Sequence, residues 1–501
     1  MPILSFLIWI PIIGGFLLLL ITNDQHANRA RVFALIISLI TLILCVPLYT
    51  YFNTETYAWQ FRETYLWIAS YKIYYDIGVD GISLPLIILT VYTTLMVILA
   101  SWRVIKKNVS QYLAAFLIMQ GAVIGVFCAL DAMLFYVFWE AMLIPMYLSI
   151  GIWGSQNRSY AAIKFFLFTF LGSALMLVAL LYLRLKAGSF YIPDFYALKM
   201  TMPVQIWIFL AFLIAFMVKV PMWPVHTWLP DAHTEAPAGG SVVLAALMLK
   251  LGAYGFLRFS LPIVPNASHS LDWLMITLSL IAIVYIGFIA IAQTDMKRLI
   301  AYSSVAHMGF VTLGCFMIYV IITKTANHAS AYMSLEGAMV QMISHAFGAG
   351  AMFLGFGMLY ERLHTRDIKD FGGIAHTMPI FSAFFMIFAM SNVGLPGTSG
   401  FVGEFMIILS TAKASFWITL LAALTLIIGP AYTLWMYKRV FFGEVINKSI
   451  ATLQDIDWMD KSVMMLLALT VLLIGLYPEC ILRIFHASVG HLLHLSMVSK
   501  I

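Results

Sequence analysis

The sequence predicts an all-α polytopic membrane protein with about fourteen membrane-spanning helices. Apolar residues make up 63% of its 501 residues, and charged residues only 10%. Soluble globular proteins carry about 25% charged residues, and disordered chains combine low hydropathy with high net charge, so both classes are excluded. A spanning helix needs about 20 consecutive apolar residues, and the chain contains enough of them for more than a dozen such helices.

Fourteen apolar runs divide the chain, and each is predicted to form one span. They cover residues 2–22, 32–51, 83–102, 112–130, 132–152, 165–182, 204–224, 239–259, 273–292, 299–322, 337–360, 379–410, 416–437 and 463–482. The first run has neither a basic segment before it nor a cleavage-site pattern, so we expect it to be retained rather than removed as a signal peptide.

The orientation follows from the basic residues. Most Lys and Arg residues lie in loops that follow odd-numbered runs. The positive-inside rule places these loops in the cytoplasm and both termini on the outer side. The net charge of +6 is spread along the chain without a basic stripe, so we expect no nucleic-acid partner.

Six ionisable residues lie well inside the predicted spans. A charge at this depth costs a few kcal/mol, and it is retained where it is paired or faces water or protein. We interpret the six as a lateral row of protonatable groups. For Glu140 the alternative is a static ion pair, and for His307 and His345 it is a hydrogen-bonded histidine in the core. The six are Glu140, Lys219, Lys250, His307, His345 and Glu404.

Two of the spans are predicted to be interrupted. Pro221 and Pro224 cannot donate backbone hydrogen bonds, so the seventh helix must open just beyond Lys219. Residues 394–400 contain three glycines and a proline, which break the twelfth span shortly before Glu404. The two interrupted spans, the seventh and the twelfth, are separated by an odd number of spans, so they cross the membrane in opposite directions. This is typical of an inverted repeat, here of spans 4–8 and 9–13.

This pattern divides the chain into four predicted parts. They are residues 1–108 with spans 1–3 and an outer loop at 53–80, 109–260 with the first repeat, 261–445 with the second repeat, and 446–501 with the last span. The outer loop is crowded with Tyr and Trp. We favour an aromatic belt at the headgroup level there over a β-hairpin that packs on a neighbour.

We expect no redox cofactor or metal on this chain. The four cysteines lie singly in or beside apolar runs, and no iron–sulfur, zinc or Gly-rich nucleotide motif is present. His226, Asp231, His233 and Glu235 are a candidate metal-ligand set without a zincin spacing. For these residues we favour a polar, water-linked mouth above Lys219 over a metal site.

Several motifs resemble those of the antiporter-like subunits of respiratory complex I, most closely the class called subunit M. The resemblance runs over nearly the whole chain. Two features favour this class. Glu404 stands where the other two large antiporter-like subunits are expected to carry lysine, and the sequence ends soon after the fourteenth predicted span. The matching stretches are 78–84 (GVDGISL), 138–145 (FWEAMLIP), 219–237 (KVPMWPVHTWLPDAHTEAP), 297–304 (KRLIAYSS) and 394–404 (GLPGTSGFVGE).

The resemblance implies a proton-translocating subunit of a bacterial NADH-quinone oxidoreductase in the inner membrane. It implies that FMN, iron–sulfur clusters and quinone are bound by other subunits, and that two antiporter-like subunits flank this one. Glu140 and Lys219 resemble the switching carboxylate–lysine pair, and Lys250 the central relay lysine. His345 and His307 resemble relay members, and Glu404 the terminal group of the outward half-channel.

Four other functions remain open from the sequence. A subunit of a multisubunit Na+/H+ antiporter would share the Glu140 and Lys219 patterns, and a subunit of a membrane-bound hydrogenase would share the fold. A stand-alone transporter would need a substrate pocket, for which the sequence offers only protonatable groups. A structural membrane scaffold would explain the spans but not six buried ionisable residues.

Overall fold

The computed structural model describes residues 2–20, 24–445 and 447–501, and most of them are helical. Every predicted apolar run coincides with helix, and the end of the first run at residues 21–22 lies outside the described residues. The sixteen longer helices, numbered in chain order, are α1 Ile3–Leu18, α2 Asp24–Thr50, α3 Ser83–Ala100, α4 Val109–Cys128, α5 Ala132–Trp153, α6 Arg158–Ala187, α7 Met202–Lys219, α8 Ala238–Ile263, α9 Asp272–Ile291, α10 Met296–Thr325, α11 His328–Leu363, α12 Pro379–Val393, α13 Ser399–Ala412, α14 Phe416–Phe441, α15 Trp458–Leu476 and α16 Glu479–Met497.

Twelve helices in the described part of the chain are long and apolar enough to cross a membrane. The shorter apolar helices are α1, α12 and α13, with 16, 15 and 14 residues. The last two share the run predicted as the twelfth span. A multi-pass helical membrane protein is therefore confirmed, whereas the count of fourteen crossings stays a prediction.

The chain divides into two compact units. Unit 1 comprises Met1–Val220, Lys250–Asp272 and Arg483–Ile501, and unit 2 comprises Pro221–Leu249 and Trp273–Leu482. Helix α8 is therefore shared between the units, with its boundary just before Lys250. The predicted four-part division and the inverted repeats stay predictions.

Unit 1 has an aromatic core where α5, α7 and α8 meet. Phe135 and Phe212 lie against Phe259, with ring centroids 4.7 and 5.5 Å away. Trp139 lies edge-on to Phe216 at 5.9 Å. All five side chains are fully buried. Close-packed aromatic rings of this kind bury large apolar areas, so they hold the three helices in register around the ionisable residues that they carry.

The predicted outer loop forms an antiparallel β-hairpin, which departs from the all-α prediction. Strand β1, Gln60–Ile68, pairs with β2, Ile73–Val79. Arg62 donates to both carboxylate oxygens of Asp76 on the facing strand, at 2.9 and 2.6 Å. Glu63 accepts a hydrogen bond from the backbone N–H of Leu4 at 2.9 Å, which ties the hairpin to α1. A strand is normally recognised in a sequence by alternating apolar and polar residues, and β1 lacks this alternation. The charged pair between Arg62 and Asp76 joins the strands instead, so the favoured aromatic-belt interpretation was wrong and the hairpin alternative is observed.

The segment before β1 contacts α16 through stacked rings. The centroids of Tyr57 and His491 are 3.9 Å apart and their planes differ by 11°. Burial lowers the pKa of His491 from its ordinary value of 6.5, with His494 and Arg258 acting in the same direction and Asp80 opposing them. The neutral ring is therefore the form that the contact favours.

This contact is expected to weaken in acid. Because the pKa is lowered in the contact, its contribution is complete above pH 6.5 and is lost as the pH falls through the lowered value. Hydrogen-exchange protection of the amides around Tyr57, corrected for intrinsic rates, should fall over that range. His491→Phe keeps a ring without its titration and should show no such fall. The same pH dependence in this variant would contradict the assignment.

Candidate functional site

In unit 1, Glu140 on α5 and Lys219 on α7 lie close enough to interact electrostatically. Lys219 is 1% exposed, and its Nζ makes no hydrogen bond within the described part of the chain. The hydroxyls of Ser173 and Tyr136 lie beside the Glu140 carboxylate. Burying an ammonium without a hydrogen bond costs free energy unless a carboxylate stabilises the charge. The protonation of Lys219 therefore depends on Glu140.

The sequence explains why Lys219 stands at a helix end. Helix α7 ends at Lys219, two residues before Pro221, as predicted. Its Nζ lies 5.1 Å from the ring centroid of Trp139, the residue preceding Glu140. A cation above an aromatic face gains a favourable interaction without losing its proton. Lys219 therefore has two stabilising neighbours on α5, of which only Glu140 can exchange a proton.

Close backbone contact positions the α7 end on α8. A Cβ atom at Gly252 would lie 2.8 Å from the Phe216 carbonyl oxygen and 2.9 Å from Lys219 Cβ. Gly252→Ala should therefore displace Lys219 and destabilise the protein by about 1–3 kcal/mol, which thermal unfolding would measure. Gly151→Ala is the matched control, because its Cβ would lie 3.8 Å from Ala162 Cβ. Equal stability of the two variants would contradict this account of the contact.

Lys250 is fully buried on α8. It lies between two π-helical turns, Leu244–Met248 and Phe256–Ser260. Such π-bulges occur frequently at functional sites, because they redirect side chains relative to a regular helix. Lys250 belongs to unit 1, like Glu140 and Lys219.

In unit 2, three helices bring His307, Gln341 and Glu404 together. His307 Nδ1 lies 2.7 Å from Glu404 Oε1, and Gln341 Nε2 donates to the same oxygen at 3.0 Å. All three are at most 5% exposed. A carboxylate in direct contact with an imidazole can exchange a proton with it, and the amide holds that carboxylate in place.

His345 extends this cluster along α11. Its ring centroid lies 5.7 Å from that of His307, and it is 5% exposed. Tyr432 on α14 is close enough to Glu404 to interact with it electrostatically. Unit 2 therefore contains two imidazoles, a carboxylate and a phenol within one buried cluster.

The chain leaves helical geometry beside Glu404. Helix α12 ends at Val393 and α13 begins at Ser399. Gly394 has a φ of +78°, and a Cβ there would lie 3.3 Å from Glu404 Oε2. Only glycine adopts this backbone conformation without strain, so the predicted glycine-rich break is what lets the chain pass close to the carboxylate.

The candidate metal-ligand set lies in and beside a short helix. Residues Trp228–Glu235 form a short helix, in which His233 and Glu235 are buried. Asp231 pairs with Arg298 at 2.5 Å, and Glu235 lies 3.5 Å from Arg366. No group of three or more potential metal ligands occurs among the described residues. The two acids therefore anchor a packed helix through ion pairs with arginines, and the polar, water-linked mouth stays a prediction.

Sequence reasoning missed several polar residues around these clusters. Gln341 carries no charge, although its spacing of four residues from His345 places the two on one helix face. Asp80 and Arg258 form a buried ion pair in unit 1. Asp80 lies in the motif at 78–84 and Arg258 near the end of the apolar run at 239–259, and nothing in the sequence pairs them.

Family models match almost the entire chain. Residues 129–429 match the model described as NADH:quinone oxidoreductase/Mrp antiporter, TM. Residues 6–128 match the model described as NADH-ubiquinone oxidoreductase chain 4, amino terminus.

Relatives of full length carry consistent names. NADH-quinone oxidoreductase subunit M of Rhodobacter capsulatus is 44% identical over 506 residues, covering 98% of this chain and 96% of the relative. A chain of respiratory complex I from Thermus thermophilus with bound NADH superposes with a TM-score of 0.88 at 30% identity, covering 99% of this chain and 100% of that chain. A chain of the Mrp complex from Dietzia sp. DQ12-45-1b has a TM-score of 0.84 at 18% identity over 99% of both chains, which shows a shared fold. The chain therefore belongs to the NADH:quinone oxidoreductase/Mrp antiporter family of membrane proteins, among the relatives of NADH-quinone oxidoreductase subunit M.

Proposed function

We propose that this chain is a proton-translocating membrane-arm subunit of an NADH-quinone oxidoreductase. One observation carries the proposal: each compact unit contains a cluster of protonatable residues with low exposure, the half-buried Glu140 with the buried Lys219 in unit 1 and the buried His307 and Glu404 in unit 2. Ionisable residues inside membrane spans usually mark ion pathways, because their burial is otherwise unfavourable. The names of the full-length relatives favour the oxidoreductase over an Na+/H+ antiporter or a hydrogenase.

In unit 1, the proposed switch is the separation of Glu140 from Lys219. A neighbouring carboxylate favours the ammonium form of the lysine, and its withdrawal favours the neutral amine. Within the described part of the chain, Lys219 has no hydrogen bond to replace that support. Movement of Glu140 would therefore release a proton from Lys219, which passes to Lys250 through water.

In unit 2, the proposed outward step ends on Glu404. The proton passes from His345 to His307 and then to the carboxylate 2.7 Å away. Lys250 is the proposed central relay lysine, and His345 is the proposed relay member that precedes His307. Each charge moved across the membrane requires about 2.3 kcal/mol per 100 mV, which quinone reduction elsewhere in the complex would supply.

The remaining features of the proposal follow from sequence patterns and relatives. We propose fourteen crossings in two inverted five-helix repeats, interrupted at residues 220–227 and 394–398. Both termini face the outer side of a bacterial inner membrane. Other membrane-arm subunits, including two antiporter-like chains, flank this one, and they or the peripheral arm bind FMN, iron–sulfur clusters and quinone.

Purification from the native membrane tests the assignment. The chain should travel with flavin-containing peripheral subunits, and inverted vesicles that contain the complex should acidify when NADH is added. Copurification with antiporter subunits alone, without NADH:quinone activity, would contradict it.

A further inference from the structure

Unit 1 contains a cavity of about 130 Å³ at one end of α8. Its wall includes Tyr57 and Trp59 from the segment before β1, Asp80 after β2, Arg258 on α8 and His491 on α16. The segment at 53–80 and the chain after α8 are both predicted to lie on the outer side. The cavity is lined by aromatic and charged groups together with apolar ones, among them Leu257 and Leu492, and it is large enough for several water molecules. We interpret it as an outer vestibule that reaches into the protein along α8.

The inner wall of this cavity contains an ion pair between Asp80 and Arg258. Arg258 pairs with Asp80, and both side chains are under 9% exposed. The same Asp80 oxygen accepts the backbone N–H groups of Ile82 and Ser83 at 3.1 and 3.0 Å. These three donors hold the Asp80 carboxylate in place beside the guanidinium. A guanidinium has hydrogen-bond donors only and does not lose its proton, so Arg258 cannot pass a proton onward.

Neighbouring side chains close the gaps around the pair. The Arg258 guanidinium lies 4.5 Å from the ring centroid of Trp59 on one side. Its Nε donates to the hydroxyl of Tyr254 at 3.1 Å, and that hydroxyl donates to the Phe127 carbonyl at 3.0 Å. Among the described residues, Asp80, Arg258 and Tyr254 are therefore hydrogen-bonded to one another or to backbone groups, which fixes the side chains of this layer.

Lys250 lies eight residues further in on the same helix. At a rise of about 1.5 Å per residue, this is about 12 Å from Arg258 along the axis. Tyr254 stands midway between them, one turn from each. If Lys250 carries a proton at an intermediate stage of transport, an aqueous cavity ending so near would discharge it outward without a barrier.

We propose that the Asp80–Arg258 pair is a proton seal that separates Lys250 from the outer vestibule. The inference rests on the proposed function, because it requires Lys250 to carry a transferable proton. The pair prevents back-leak rather than conducting, so its loss would uncouple the complex while leaving NADH oxidation intact.

Passive proton flux distinguishes a seal from a structural ion pair. Inverted vesicles that contain the whole complex are given a potassium diffusion potential without NADH, and proton uptake is measured. The double variant Asp80→Asn with Arg258→Gln removes both charges at nearly constant shape and should leak severalfold faster than wild type. The control pair is Arg62→Gln with Asp76→Asn on the hairpin, which should not leak.

A third substitution tests whether the leak uses the proposed route. Adding Lys250→Met to the double variant should restore tightness, whereas a leak through loosened packing would persist and would overturn the proposal. Wild-type tightness in the assembled double variant would overturn it as well. If the double variant does not assemble, Arg258→Gln alone is measured against the same outcomes. Because no turnover is involved, failure of the seal is distinguishable from failure of NADH-driven pumping.

Discussion

Glu404→Gln is expected to abolish proton transfer through this chain while NADH oxidation with an artificial acceptor continues. The amide can keep a hydrogen bond to His307, which lies 2.7 Å from Glu404 Oε1, but it cannot take up a proton. Loss of a positioned proton-transfer group typically costs about 100-fold or more in rate. Acidification of inverted vesicles by NADH measures the transfer.

The exposed Glu444 provides the control for that substitution. Glu444→Gln makes the same chemical change in unit 2, at an exposed position. It should pump like wild type. If Glu404→Gln also pumped with the wild-type ratio of protons to NADH, the buried carboxylate would be a structural hydrogen-bond acceptor and the proposed outward step would be wrong.

Lys219→Ala is expected to cut proton pumping strongly while sparing assembly, and Glu140→Gln should do the same. Lys219 makes no hydrogen bond among the described residues, so its removal breaks no polar network. The two substitutions act on one electrostatic interaction, so the double variant should lose little more than either single variant. Pumping per NADH and the amount of assembled complex are the two measurements.

Lys186→Ala is the matched control for the lysine. Lys186 is exposed near the end of α6 and should be dispensable. Full additivity of the two substitutions, each with a partial effect, would indicate that Glu140 and Lys219 act separately. Vesicles that pumped normally with either change would exclude the pair from the pathway.

The helix end beside Lys219 was predictable because proline lacks an N–H. That local property predicts where α7 ends, and the structure places the end at Lys219 itself. The glycines before Glu404 also predicted a helix break, because glycine readily adopts conformations outside the helix. The position of each ionisable residue within an apolar run was predictable for a similar reason, since a charge interrupts a long run of hydrophobic residues visibly.

The partners of these residues were not predictable from sequence. His307 and Glu404 are 97 positions apart, and Asp80 and Arg258 are 178 apart, so only helix packing decides that they meet. Gln341 was overlooked because an uncharged amide gives no signal in a search for buried charge. The hairpin was only the less favoured alternative, because the residues of β1 show no clear alternation of apolar and polar side chains.

Lys250→Met tests the central claim most directly, because Lys250 is the proposed connection between the two clusters. The methionine preserves the length and apolar stem of a fully buried side chain and removes its proton. We predict that the ratio of protons pumped to NADH oxidised falls as far as in Lys219→Ala or Glu404→Gln. The exposed Lys413→Met should leave that ratio unchanged. A wild-type ratio in assembled Lys250→Met complexes would contradict a relay that joins the two units.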